Sequence, residues 1–158
     1  MNPDSLKANI GNFTPSKFGL QLDWKDIREK GGAPLALFVR FRAVREITRK
    51  SDDSTATVFE GQAELDTTQL NDARVTQLEQ ITGLRRDAPT AVSFFSIGSM
   101  FISQLEKNYG VDWSKDCVGR LAHIAYGGKL PNPKKKGTEY HSVFVTDVPE
   151  TVQTRDIV

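Results

Sequence analysis

The residues best suited to chemistry are lysines that lie close together near the C-terminal end of the sequence. They are Lys129, Lys134, Lys135 and Lys136. Stretches rich in β-branched and aromatic residues precede and follow them at 118–126 and 138–146, which predicts two antiparallel strands joined by a lysine loop. A cationic loop beside aromatic strand faces can hold a nucleic-acid backbone while the rings stack on bases. A solvated hairpin whose lysines discourage edge-to-edge aggregation is the alternative interpretation.

A second group of candidates, Phe38, Arg40 and Arg42, shares one face of a long predicted strand. Residues two apart on a strand point to the same side, so an aromatic ring would lie beside two guanidinium groups. Ion pairs with Glu60 and Glu64 on the returning strand could instead neutralise this face. Arginines paired in that way would be lost to phosphate binding.

Residues suited to metal binding or nucleophilic chemistry are few. His123 and His141 lie on the two strands of the hairpin and could face each other, but no third ligand stands at a suitable spacing. Cys117 is the sole cysteine, which excludes an internal disulfide, fits a reducing compartment and favours a buried, inert thiol. No nucleotide-binding glycine-rich loop, nucleophile elbow or zinc-protease motif occurs. We therefore expect no metal, no cofactor and no enzymatic activity. We expect the protein in the cytoplasm, or in the host cytoplasm if it is viral.

The composition is that of a folded domain. Of the 158 residues, 38% are hydrophobic and 26% are charged, so the chain can bury a core without disulfides and has no membrane-spanning composition. We predict a flexible arm at 1–16, a single domain at 17–148 and a polar tail at 149–158. The net charge of +1 conceals basic segments at 34–50 and 115–136. Such segregation permits a basic face on a nearly neutral protein.

The period of the apolar residues predicts the elements that position these groups. We expect strands at 17–24, 35–48 and 55–65, a short helix capped by Asp23, helices at 69–82 and 90–108, and the two hairpin strands. Asp66 opens a capping-box sequence and is expected to cap the first long helix, while Gly61 indicates a bulge or bend. The core face of the long strand is expected to carry Leu35, Leu37, Val39, Phe41, Ala43 and Ile47.

The order of strands and helices favours a known type of barrel. Oligonucleotide-binding (OB) barrels have five strands, with a helix between the third and fourth. We therefore predict an α+β, β-rich fold: an OB-like five-stranded antiparallel barrel with a helical insertion, at about 69–109, before the last two strands. The third barrel strand is not evident, so a short segment or the stretch at 17–24 would have to supply it.

The closing hairpin resembles that of phage-type OB-fold single-stranded-DNA-binding proteins. The resemblance rests on the sequences Val118-Gly119-Arg120 and Ile124-Ala125-Tyr126-Gly127-Gly128-Lys129, the lysine loop, and Tyr140 followed by Phe144-Val145. It implies sequence-tolerant binding of single-stranded DNA (or RNA), with rings on bases and cations on phosphates. The residues that match these roles are Phe38, Arg40, Arg42, Arg120, Tyr126, Lys129, Lys134, Lys135, Lys136 and Tyr140.

The resemblance also implies a role in phage or mobile-element replication or recombination, with no membrane partner, and it allows a homo-oligomer. One feature departs from the family, because the segment 147–158 is only weakly acidic, whereas many members recruit partners through a strongly acidic tail. The alternative function is that of a virion or assembly protein whose hairpin contacts neighbouring subunits. Oligonucleotide binding at low salt would distinguish these two functions.

Overall fold

The computed structural model describes residues 19–30, 34–48 and 52–149. These residues form an α+β structure in which strands dominate. In chain order the elements are β1 (Leu20–Gln21), α1 (Trp24–Glu29), β2 (Leu35–Thr48), β3 (Thr55–Leu65), α2 (Asp72–Thr82), β4 (Thr90–Phe95), α3 (Ser99–Tyr109), α4 (Trp113–Asp116), β5 (Leu121–Pro131) and β6 (Glu139–Asp147). No helix in these ranges is long and apolar enough to cross a membrane. The predicted arm and nearly all of the predicted tail lie outside the described residues.

The strands join one mixed sheet in the order β1-β4-β3-β2-β5-β6. β1 runs parallel to β4, whereas the other neighbouring strands are antiparallel. Over the described residues the sheet does not close into a barrel, since β1 and β6 form its two edges. The predicted α+β, β-rich class is confirmed. The expectation of a five-stranded antiparallel barrel is wrong in strand number, strand direction and closure.

The largest departure from the sequence prediction lies at 90–95, where β4 replaces the start of the expected helix at 90–108. Val92, Ser93 and Phe94 are all buried, because β4 lies inside the sheet between β1 and β3. Helix α3 begins only after Gly98, whose φ is +99°. β4 pairs with β3 and so supplies the third strand that was not evident in the sequence. The predicted helical insertion is therefore two helices with a strand between them.

Local side-chain chemistry fixes the helix ends. Asp23 caps α1 as predicted, since its carboxylate accepts from two backbone N–H groups of the first turn at 3.0 and 3.2 Å. Helix α2 is capped by Asn71 rather than by Asp66, which instead accepts from the N–H and hydroxyl of Thr68. At its other end α2 stops at Gly83, whose φ of +80° lies in the left-handed region.

A bulge in β2 changes which side chains reach the core. The register shifts between Phe41 and Ala43, opposite Gly61 of β3. A Cβ at Gly61 would overlap the carbonyl oxygen of Arg40, so glycine allows an approach of the two backbones that other residues would prevent. The bulge moves Ala43 and Ile47 off the core face, where they were expected. Ile47 is buried instead in a small separate cluster on the opposite side of the sheet.

The main core lies on one side of the sheet, which we call the core face; we call the other side the open face. Trp24 of α1 packs edge-on against Phe94 of β4 and Tyr126 of β5, with ring centroids 5.4 and 5.3 Å apart. From α3, Phe101 packs on Phe59 of β3 at 5.1 Å. The helices α1 and α3 thus tie distant strands of the sheet together through aromatic contacts.

Helix α3 also covers part of the outer edge of β6. The side-chain amide of Gln104 donates to the carbonyl of Val143 and accepts from the N–H of Val145, at 2.8 and 2.7 Å. One turn later, Asn108 donates to the carbonyl of Val145 and accepts from the N–H of Asp147, at 2.8 and 3.2 Å. Two side chains four residues apart therefore replace a neighbouring strand and protect the edge from pairing with another chain.

Candidate nucleic-acid interface

Aromatic side chains lie in a row across the open face. Phe38 of β2 and His123 of β5 are cross-strand partners, and their ring centroids are 5.0 Å apart. Phe144 of β6 pairs with Ala125, which places it on the same face and diagonal to His123. The side chain of Phe144 is 66% exposed, whereas Phe41, Phe59 and Phe94 of the sheet are buried. We call Phe38, His123 and Phe144 the aromatic row.

Asp66 fixes the position of His123 within the aromatic row. Its Oδ2 lies 2.9 Å from Nε2 of His123, and its Oδ1 accepts from the N–H and hydroxyl of Thr68 at 3.1 and 2.7 Å. Burial raises the pKa of Asp66, but the hydrogen bonds from Thr68 and His123 together outweigh burial and lower the pKa below its ordinary value of 3.8. The carboxylate is therefore charged at neutral pH and holds the imidazole beside Phe38.

A cavity of about 300 Å³ adjoins the aromatic row. It forms where Ala36 and Ala125, two small neighbours on the open face, lie next to Phe144. Most of its lining is apolar, and Asp66 and Gln69 are among its few polar groups. A mostly apolar cavity with a few polar groups is the usual form of a small-molecule site.

The arginines predicted for the site lie near the start of β5. Arg40 donates to the carbonyl oxygen of the glycine before Arg120, at 2.8 Å. Arg42, exposed at the β2 bulge, donates to the side chain of Gln62 at 3.1 Å. Arg120 is half-buried and forms an ion pair with Asp147 at 2.7 Å. Each of these guanidinium groups therefore has a partner within the protein.

The acidic residues expected opposite Arg40 and Arg42 lie on β3 but have other neighbours. Glu60 forms its ion pair with Arg45, at 2.6 Å. Glu64 is the cross-strand partner of Phe38. The charge of Glu60 is therefore offset by Arg45, and Glu64 places one carboxylate on the open face beside Phe38, where it disfavours a phosphate. The half of the open face formed by β5 and β6 is the more favourable part for a nucleic-acid backbone.

The lysines of the hairpin divide between its turn and one of its strands. Exposed in the turn between β5 and β6 are Lys134, Lys135 and Lys136, which we call the lysine turn. Lys129 lies on β5 itself, since that strand continues beyond its expected end at 126. A bulge between Tyr126 and Gly128 shifts the alternation, so Lys129 and its cross-strand partner His141 fall on the core side of the hairpin.

The predicted cations do not share one surface. Arg40 lies opposite Leu121 at the start of β5, and Lys129 lies roughly 26 Å further along that strand, at about 3.3 Å per residue. The two side chains also belong to opposite faces of the sheet. Tyr140, half-buried, pairs with Leu130 on the open face near the lysine turn. The structure therefore groups Tyr140 and the lysine turn at one end of the hairpin and the arginines at the other.

Tyr126 does not belong to an accessible interface. Its side chain is only 1% exposed and packs on Trp24, and its hydroxyl lies 3.0 Å from Nδ1 of His141. Burial raises the pKa of Tyr126, so the phenol stays protonated at neutral pH. A base could reach this ring only by displacing the core. The expectation that Tyr126 stacks on bases is corrected accordingly.

The remaining reactive groups lie apart from one another. His123 pairs with Thr146 and His141 with Lys129, so the two imidazoles lie on opposite faces of the hairpin and do not face each other. Cys117 is buried as predicted, and burial raises the pKa of its thiol to about 11. No group of three potential metal ligands occurs in the part of the chain that the structure describes.

No protein-family model, curated protein or solved structure matches this chain. Function is therefore inferred from the geometry described above. The set of site residues predicted from the sequence did not include two members of the aromatic row, His123 and Phe144. For Phe144 the signal was present, because it falls between the buried residues Val143 and Val145. A ring between two core residues of a strand has to point away from the core.

Proposed function

We propose that the protein is a sequence-tolerant single-stranded-DNA-binding module whose ligand lies along the open face of β2, β5 and β6. The observation that carries this proposal is the aromatic row, above all the exposed ring of Phe144. One base stacked on one aromatic ring contributes about 1–3 kcal/mol, and every base has a π-face to offer. Such a surface binds strands of many sequences with similar affinity.

The connectivity of the sheet supports an OB-like relationship within this proposal. β2, β3 and β4 form an antiparallel meander, α3 follows β4, and the β5–β6 hairpin returns to pair with β2. OB domains that bind oligonucleotides use five strands with a helix between the third and fourth. In this chain β1 and α2 are additions to that pattern, and β4 and β6 are not paired with each other.

The lysine turn supplies the positive charge near one end of the ligand path. Contacts between lysines and phosphates release counterions, so affinity falls as salt rises. Tyr140 adds a ring on the open face close to this turn. Glu64 on β3 disfavours a phosphate next to Phe38, whereas the charge of Glu60 is offset by Arg45. The strand therefore follows the hairpin rather than crossing the whole sheet.

Fluorescence anisotropy with a labelled DNA strand of about 30 nucleotides tests the proposal, since one OB fold covers ~4–16 nucleotides. We expect binding at low salt that weakens steadily as salt is added. The double variant Lys134→Ala/Lys135→Ala should lower affinity for all sequences. If both lysines contact phosphates, the slope of log affinity against log salt should become shallower by about 1.4.

The matched control is Lys107→Ala/Lys115→Ala, which removes the same charge from exposed positions on α3 and α4. It should leave the salt slope close to that of the parent protein. A parent protein that fails to bind the strand at low salt, or whose binding is indifferent to salt, excludes this function.

A subunit contact in a virion or other assembly is the second candidate. Phe144 and Leu130 are 66% and 41% exposed on the open face of the same hairpin, and exposed apolar side chains also suit a protein interface. Size-exclusion chromatography separates the two functions. A large assembly that dissociates when Phe144 is replaced by alanine and does not bind oligonucleotides favours the subunit contact. A small species that binds DNA favours the DNA-binding function.

A further inference from the structure

A cavity interrupts the path proposed for the DNA strand, beside the aromatic row. Among its lining residues are Ala36 and Ala125, which are cross-strand partners on the open face. Neither side chain extends beyond Cβ, whereas the next pair on this face, Phe38 and His123, carries rings. Phe144 of β6 also lines the cavity. The open face is therefore recessed at the two alanines, next to the side chains proposed to stack on bases.

The size of the cavity suits a single ring system. Its volume of about 300 Å³ is at the lower end of the range for sites that hold small organic molecules. Pro34 and Leu70 contribute to its mostly apolar lining. Burial of the faces of a flat ring against apolar side chains is favourable, but the polar edge of that ring then needs hydrogen-bond partners. The polar groups of the lining therefore decide which ring the cavity accepts.

Asp66 provides a charged acceptor in this lining. Its Oδ1 accepts from the N–H and hydroxyl of Thr68, and its Oδ2 accepts from Nε2 of His123. A carboxylate has about four acceptor positions, so one position on Oδ2 is left. The side chain is 16% exposed, so a ligand can reach it. Because the pKa of Asp66 is lowered, its carboxylate is charged at neutral pH and selects ligands that donate a hydrogen bond.

Gln69 supplies a second polar group to the lining. It is exposed in the connection between β3 and α2. Its side-chain amide has both donors and an acceptor, and it can turn to present either. Gln69 can therefore pair with donors and acceptors alike, whereas discrimination between ligands depends on Asp66.

We propose that this cavity holds one base of the bound strand and favours a base with an exocyclic amino group, which donates to Oδ2 of Asp66. This preference rests on the proposed function, because the strand brings the base to the cavity. Cytosine and adenine carry such an amino group next to a ring nitrogen, to which Gln69 can donate. Thymine and uracil have a carbonyl oxygen in its place, which a carboxylate repels. Bases outside the cavity are bound by their faces, so the preference concerns one position of the strand.

Fluorescence anisotropy with labelled strands of about 30 deoxycytidines or 30 deoxyuridines tests the preference at neutral pH. The two bases differ only at one edge, where cytosine has an amino group beside a bare nitrogen and uracil has a carbonyl oxygen beside an N–H. We expect the deoxycytidine strand to bind about tenfold more tightly, as one hydrogen bond to a charged group provides. If both strands bind with equal affinity, the preference is overturned and the proposed function stands.

Asp66→Asn separates base selection from the positioning of His123. Asparagine keeps the shape of the side chain but presents a donor as well as an acceptor, so the two affinities should become nearly equal. If Asp66 acts only by positioning His123, both strands should weaken alike and their ratio should persist, which overturns the proposal. The matched control is Glu64→Gln, which removes a charge from the open face next to Phe38 but not from the lining of the cavity. It should retain the ratio.

Ala125→Ile fills the cavity and leaves Asp66 in place. Isoleucine suits a strand, so this variant is expected to fold. Its added carbon atoms occupy the space of the base, and the preference for deoxycytidine should again be lost. Amide spectra establish that each variant is folded, and Ala125→Ile alone decides if Asp66→Asn does not fold. A folded Ala125→Ile variant that keeps the preference overturns the assignment of the base to this cavity.

If neither strand binds, the proposed function is excluded, and free nucleosides decide on the cavity alone. Deoxycytidine at millimolar concentration should shift the amide resonances of residues in the lining, such as Ala36, Asp66 and Ala125, and deoxyuridine should shift them less. That result supports a base site without a strand. Shifts that are absent, or equal with the two nucleosides, overturn the proposal.

Discussion

Replacing Phe144 by alanine should separate nucleic-acid binding from folding. The side chain is 66% exposed, and its neighbours Val143 and Val145 make the core contacts of this part of β6. Full burial of a phenylalanine side chain contributes about 1.5–3 kcal/mol, so a side chain about one-third buried contributes roughly 0.5–1 kcal/mol to the free energy of unfolding. Phe144→Ala is therefore expected to fold and to lose no more than that.

The cost to DNA binding is expected to be larger than the cost to folding. Loss of one base stacked on one ring removes about 1–3 kcal/mol, which corresponds to roughly 5- to 150-fold weaker affinity. The loss should be similar for strands of different sequence, because stacking uses the face of the base and not its edge. The salt slope should stay unchanged, since Phe144 carries no charge. Phe144→Trp, which keeps an aromatic face, should retain most of the affinity.

Anisotropy titrations at fixed salt measure the affinity, and urea unfolding measures the stability of each variant. Val111→Ala is the matched control, because Val111 is apolar and 85% exposed between α3 and α4, outside the sheet. It should leave both quantities close to those of the parent protein. A folded Phe144→Ala variant that binds DNA as tightly as the parent would refute the assignment of base stacking to the aromatic row.

Two further predictions concern stability. Gln104→Ala removes both hydrogen bonds to the edge of β6 and should cost about 1–3 kcal/mol in urea unfolding, whereas Ser103→Ala, one residue earlier and exposed, should cost less than about 0.5 kcal/mol. Equal effects would contradict a protective role for Gln104. Asp66→Asn should destabilise the protein at neutral pH but not in acid: the folded pKa of Asp66 lies below 3.8, so its contribution is complete above that pH and is lost as the pH falls through the folded pKa. A difference between parent and variant that is undiminished at low pH would contradict this account.

The long strands could be predicted from the sequence because their signals are local. β2 and β3 have the expected bounds, Leu35–Thr48 and Thr55–Leu65. Their apolar residues alternate over many positions, and a serine- and aspartate-rich turn separates them. The cap at Asp23 was predictable for the same reason, since a capping carboxylate acts on N–H groups of the next turn.

β4 could not be predicted because its period is masked by a longer helical one. Buried residues from a strand, a connection and a helix fall by coincidence at helical spacing. They are Phe94, Ile97, Phe101 and Leu105. Only two residues of this segment, Val92 and Phe94, show the two-residue spacing of a strand. Pairing with β3, which is distant in sequence, decides the conformation of this segment.

The sequence did not predict on which face of the hairpin Lys129 lies, because a bulge in β5 changes the alternation of side chains. This position decides which surface receives the charge of Lys129. Without the bulge between Tyr126 and Gly128, alternation would place Lys129 on the open face with the aromatic row. The extra residue turns Lys129 to the core side, beside His141, while the lysine turn lies at the end of the hairpin. One hairpin thus presents cations to two separate surfaces. Lys129→Ala should therefore leave the salt slope of DNA binding close to that of the parent protein, whereas Lys134→Ala/Lys135→Ala should make the slope shallower.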